Sequence, residues 1–186
     1  MSPVFTAAYE CRIHASAAVV WNLLIDISTW PDWNPFVPSA DILDSADASS
    51  TQTSNEKKIK LGQRLRFHSV MGTQQHTTVE RVTVLETPSS PPSPPDHSGT
   101  PDLSSPHVYR VGWDLESYPS YLMRTTRDNV VEVGESGAES IYKTKEDFFG
   151  PLAWPTKWVA GKKVQMGLEE WAEGLKKAAE SGSKIA

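Results

Sequence analysis

The chain has 186 residues, a hydrophobic fraction of 38% and a formal net charge of −5, from 18 basic and 23 acidic residues. That length supports one domain with a sizeable core, and the acidic balance argues against nucleic acid, which needs a basic face. One cysteine, Cys11, allows no internal disulfide and fits a reducing compartment; no stretch is long enough to span a bilayer, and no polybasic run marks an anionic membrane.

The opening residues MSPVFTAAYECRI carry neither a basic n-region nor an apolar h-region, so no signal peptide is expected and a cytoplasmic protein is the default. Residues 8–13 read as a strand with Tyr9, Cys11 and Ile13 on one face. Ser16 is a good N-cap for a short helix whose apolar face is Val20, Leu23, Leu24 and Ile27. Ser28 caps a second turn over residues 29–33, where Pro31 is tolerated because it comes so early. Asn34-Pro35 forces extended backbone, and a strand is expected over residues 36–43. Residues 63–70 and 74–85 read as a hairpin turning at Met71-Gly72. Residues 108–115 alternate, with Tyr109, Val111, Trp113 and Leu115 on one face. Residues 121–133 and 139–149 form another hairpin around Ser136-Gly137, and Gly150-Pro151 ends the sheet. A long helix follows over residues 155–180, with Val164, Leu168, Trp171 and Leu175 along one line. The expectation is one domain over residues 1–186, with polar flexible inserts at about 45–58 and 87–106.

This order, a strand, two short helices, about six strands and a long helix, is an α+β layer solution with an antiparallel sheet. Its opening, SAAVVWNLLIDISTWPDWNPFV over residues 16–37, resembles the start of the SRPBCC superfamily of START-like and polyketide-cyclase-like proteins. The spaced pattern Tyr142, Thr144, Glu146, Phe148, Gly150 is similar to that family's last strand. Arg124-Thr-Thr-Arg127 resembles the strand before it, and Gly167-Leu-Glu-Glu-Trp171 the terminal helix. The resemblance covers most of the chain and implies a helix-grip fold: a curved antiparallel sheet wrapped around the C-terminal helix, enclosing a cavity for apolar small molecules. None of these motifs is a catalytic signature, so the resemblance points to a ligand class rather than a reaction. Physically, the long helix has too narrow an apolar stripe to fill a strongly curved sheet, and the gap forms a pocket.

Strand parity selects candidate site residues. With a two-residue turn at Met71-Gly72, Phe67 pairs with His76, Leu65 with Thr78 and Gln63 with Glu80. One face then carries Leu61, Leu65, Phe67, His76, Thr78, Glu80, Val82 and Val84, which points His76 and Glu80 at the cavity. His76 suits a general base; its plainer reading is a wetted side chain at the cavity mouth. A turn near residues 135–137 sets Thr126 opposite Glu146 and Arg124 opposite Phe148, so that Arg124 and Glu146 are diagonal neighbours on the Tyr142 and Phe148 face. Such a pair can bind a carboxylate or enolate or activate water; the alternative is a structural ion pair beneath the helix. Trp30, Trp33, Phe36, Trp113, Trp154 and Trp158 are candidates to wall the pocket, with Trp33 and Trp113 preferred, while Trp21 and Trp171 read as core. Asp26 and Asp32 suit helix ends.

Other chemistries find no support. The five histidines show no metal-ligand spacing, and there is no GxSxG elbow or phosphate-binding glycine loop, so no metal or cofactor is expected. The expected function is cofactor-independent acid–base cyclisation, dehydration or hydrolysis of a polyketide-like substrate. A carboxylate or histidine moves the proton, and Arg124 or Tyr142 stabilises the oxyanion. The rival is a non-catalytic carrier or sensor of a lipid, quinone or other apolar ligand; a weaker third reading is an adaptor that binds proteins through its inserts. The sequence specifies neither ligand nor oligomeric state.

Overall fold

The computed structural model describes residues 2–43, 57–88 and 108–182; the expected inserts fall almost wholly outside them. The elements are β1 (Phe5–Ile13), α1 (Ala17–Ile25), α2 (Trp30–Trp33), β2 (Ser39–Ile42), β3 (Arg64–Met71), β4 (Gln74–Glu86), β5 (Val108–Leu115), β6 (Arg124–Val133), β7 (Ser140–Phe149) and α3 (Ala153–Gly182). The strands form one seven-stranded sheet in the order β1-β7-β6-β5-β4-β3-β2, and every neighbouring pair is antiparallel. The chain adopts the helix-grip fold: α3 lies across the concave face, with α1 and α2 closing one end.

Local chemistry explains the entry into this layer. Ser16 has the extended backbone of an N-cap, but its carbonyl, not its hydroxyl, engages the helix by accepting from Val19 and Val20. The Ser28 hydroxyl donates to Asp26 Oδ1 instead of capping α2, whose N-cap is Thr29. Asp26 also accepts from the Ser28 and Lys57 amides, so this buried carboxylate organises the connection below α1.

The two halves of α3 are packed differently, and this locates the cavity. Leu168, Trp171, Ala172, Leu175 and Ala179 in its C-terminal half are fully buried. Trp171 is the hub of an aromatic cluster, with ring centroids 5.0 Å from Trp30, 5.6 Å from Trp33 and 6.1 Å from Trp113. In the N-terminal half Trp154, Trp158 and Val159 are exposed, and the buried residues are Ala153, Val164 and Gly167. The helix therefore grips the sheet at one end and stands off it at the other.

Register departs from the expectation in three places. The first hairpin turns at Gly72-Thr73, with Gly72 at φ +67°, so Ser69 pairs with His76, Phe67 with Thr78 and Leu65 with Glu80. This is two residues from the expected pairing, and an even slip leaves every side chain on its expected face. An irregularity between Val82 and Val84 changes parity there: Leu85, opposite Val111, reaches the core, while Val84 faces away. Between β6 and β7, Gly134 and Glu139 still pair, leaving a four-residue loop over residues 135–138. The pairing is one residue from the expected one, so β6 is turned over: Arg127, not Thr126, stands opposite Glu146.

Candidate functional site

Where α3 stands off the sheet there is a cavity of about 290 Å³. Its inner end is walled by Phe36, Phe67, Trp113 and Phe148, all at most 5% exposed. Its mouth is formed by Gln74 and His76 of β4, Tyr118 of the β5–β6 loop, and Val159 and Lys163 of α3. Among mostly apolar walls, three ionisable side chains converge: Glu80 from β4, Arg127 from β6 and Glu146 from β7.

Arg127 is 5% exposed. Its guanidinium carbon lies 4.2 Å from the Trp171 ring centroid, 5.5 Å from Trp113 and 5.9 Å from Phe36. These ring faces stabilise a cation that has been taken out of water. Nε donates to Thr144 Oγ1 at 3.4 Å, and Thr144 in turn donates to Asn129 Oδ1 at 3.0 Å. Tyr142 also donates to Asn129 Oδ1, at 2.7 Å, and Asn129 Nδ2 donates to the Val111 carbonyl. This buried network fixes the arginine from below. Nη2 has no hydrogen-bond partner, and no carboxylate of the described residues is within salt-bridge distance. A buried donor left unmet costs about 1–3 kcal/mol, more when charged.

The two carboxyls resist ionisation. Burial pushes Glu80 up to about 8 from an ordinary 4.5, and the Glu146 charge adds to the rise, while Thr78 and Arg127 oppose it. Burial also raises Glu146, against the pull of Arg127 and the Thr125 hydroxyl. Glu146 stands directly opposite Arg127, and a charge on it favours the proton on Glu80. Two carboxyls that resist ionisation beside a guanidinium can serve as acid–base machinery, one accepting while the other donates.

The sequence-selected residues divide into three groups. Phe36, Phe67, Glu80, Trp113, Glu146 and Phe148 line the cavity, and His76 stands exposed at its mouth. Arg124 is a correction: it is exposed on the outer face, its guanidinium 4.5 Å from the Phe149 ring centroid, because the four-residue loop reverses the parity of β6. Trp33 does not wall the cavity; it packs edge-on against Trp171 and donates from Nε1 to Thr29 Oγ1. Tyr142 lies beneath the cavity, its hydroxyl committed to Asn129 and its pKa pushed up to about 12 by burial. Trp158 is 82% exposed and points away. The site residues missed were Arg127, its supports Asn129 and Thr144, and Thr125 beside Glu146. Adjacent Val130-Val131 let β6 be read in either parity, so alternation alone did not find them.

Residues 13–89 match the family described as polyketide cyclase / dehydrase and lipid transport. Oxopyrrolidines biosynthesis cluster protein O of Penicillium oxalicum is 30% identical over 178 residues, covering 88% of this chain and 80% of that protein. The chain belongs to the SRPBCC superfamily. Among solved structures, a START superfamily protein from Mycobacterium smegmatis matches this SRPBCC chain with a TM-score of 0.58 at 15% identity, over 95% of this chain and 97% of that one. Norcoclaurine synthase of Thalictrum flavum, a point mutant in complex with a transition-state analogue, matches with a TM-score of 0.60 at 14% identity, over 98% and 99%. At such identities the SRPBCC chain shares with them its fold. Among the described residues no group of acids, histidines and cysteine is clustered for a metal ion, and no helix is long and apolar enough to cross a membrane.

Proposed function

We propose that the protein is a cofactor-independent enzyme of secondary metabolism that cyclises or dehydrates a polyketide-like carbonyl compound. The observation that carries this reading is the convergence of Glu80, Glu146 and Arg127 in a mostly apolar cavity. Glu146 takes a proton from a carbon flanked by carbonyls, and the Arg127 guanidinium meets the oxygen on which the enolate charge develops. Glu80, still protonated at neutral pH, delivers its proton to the carbonyl oxygen under attack or to a departing hydroxyl, which leaves as water. The apolar walls hold a flexible chain in a reactive shape. The Penicillium relative is named for a biosynthesis cluster, which agrees with a role in secondary metabolism. The same reading has the reaction in the cytoplasm.

The test is turnover. Whatever co-purifies is identified by mass spectrometry, and its conversion is compared with that of synthetic oligo-β-ketone thioesters. Glu146→Gln and Glu80→Gln should each lower turnover about 100-fold or more while leaving binding within a few-fold. Saturable binding with no product from the wild-type protein would instead make it a carrier, the reading that its mostly apolar walls favour.

A further inference from the structure

We infer that the ligand of this cavity carries an anionic oxygen, an acidic enol or a carboxylate, which seats on the Arg127 guanidinium with the apolar body directed toward the mouth. This deepens the proposed reaction by naming the charge of its substrate, and it rests on the same cavity.

Three observations carry it. First, Arg127 lines the cavity and is 5% exposed, yet among the described residues its guanidinium has no ion pair and one hydrogen bond, from Nε to Thr144. Rings stand close to the guanidinium on several sides, Trp171 closest, and rings offer no acceptor in the plane of the N–H groups. An acceptor must therefore come from the cavity. Second, the counter-charge is incomplete. Glu80 and Glu146 both favour the protonated form more than an ordinary carboxyl does, and neither reaches Arg127 as an ion pair among the described residues. A charged ligand oxygen supplies what they do not, and a charge-assisted hydrogen bond is roughly twice as strong as a neutral one. Third, buried Arg127 lies beside the buried Phe36 and Trp113 rings, whereas Gln74, His76, Val159 and Lys163 are exposed at the mouth, and Phe67, Phe148, Met123 and Val164 add apolar wall to the same cavity. This orders a ligand head first. The proton balance closes without a further reactant. An enol passes its proton to Glu146 as its oxygen meets Arg127; a ligand arriving as a carboxylate leaves Glu146 to take a proton from solvent.

The test is calorimetric titration of the full chain with 2-naphthoate and its neutral isostere 2-naphthamide. It is repeated with 1-phenylbutane-1,3-dione and its non-enolisable 2,2-dimethyl derivative. The wild-type protein should bind the acidic member of at least one pair about tenfold tighter or more. Preference for the naphthoate identifies a carboxylate; preference for the enolisable dione identifies an enol. Arg127→Met should abolish the preference while changing affinity for the neutral partner by less than about twofold, and Arg127→Lys should retain part of it. Glu146→Gln, which removes a competing negative charge, should keep or increase the preference for the naphthoate, and should reduce that for the enolisable dione, which then has no carboxylate to take its proton. Equal affinity within both pairs, or no saturable binding of any member, overturns the inference even if Arg127→Met fails to fold, because the wild-type comparison needs no variant. A charge preference without any turnover would sink the enzyme reading and leave this one standing; turnover without the preference would do the reverse.

Discussion

Glu80 makes a cost visible that the apolar cavity imposes on folding. Its carboxyl titrates near 8 in the folded chain and near 4.5 when free, so the folded state holds a proton that the unfolded state has lost across that interval. A raised pKa contributes stability that is present below about 4.5 and is lost as pH rises through about 8. The melting temperature should therefore fall as pH is raised from about 5 to about 9, and Glu80→Gln should flatten that slope and melt higher than wild type at the alkaline end. An unchanged slope in the variant would mean that Glu80 is solvated. Half-buried carboxylates paired with cations, Glu116 with Arg64 and Arg81 and Glu139 with Arg12 and His14, have lowered pKa values and act in the opposite sense, at acid pH.

At the scale of elements, two glycines set how closely α3 approaches what it covers. A Cβ at Gly174 would overlap the backbone carbonyl of Trp33, which has nowhere to move. A Cβ at Gly167 would overlap the Phe36 ring, a side chain that can turn into the cavity. Gly174→Ala should lower stability by roughly 2–4 kcal/mol in denaturant titration. Gly167→Ala should destabilise less but weaken ligand binding, because the displaced ring takes up cavity space. Equal stability losses with unchanged binding would show that Phe36 does not yield. Much of this layer was legible in the sequence. The apolar line Val164, Leu168, Trp171 and Leu175 named the gripping face of α3, and all four are buried. The β3–β4 faces survived a wrong register because the slip was even. The β6–β7 faces did not, because the slip was odd. Periodicity tells which side chains share a face, but turn geometry decides which face that is, and a loop one residue longer than expected makes Arg127, not Arg124, the inner cation. Close approaches such as Gly174 to Trp33 are set by packing between distant segments, and no local pattern announces them.

The whole molecule is closed by its two ends. β1 pairs along its length with β7, from Phe5 opposite Phe148 to Ile13 opposite Ser140. It is also tied to α3: the Ala8 backbone both donates to and accepts from the Gln165 side chain, and Tyr9 donates to Glu173. Contacts so distant in sequence make folding slow, in milliseconds to seconds for sheet-rich domains, and cooperative over the full length. A chain truncated after residue 139 should show no cooperative unfolding transition; a sharp one would mean that β2 to β6 fold by themselves. On the ribosome, the first strand emerges with no partner and waits while well over a hundred residues are added, on the order of ten seconds at ordinary elongation rates. Until α3 follows β7, the Ala7, Tyr9, Cys11 and Ile13 face has nothing to cover it. A translation product interrupted before that point therefore leaves the stripe open to chaperones and proteases, and the exposure ends only once the last strand and the final helix have been made.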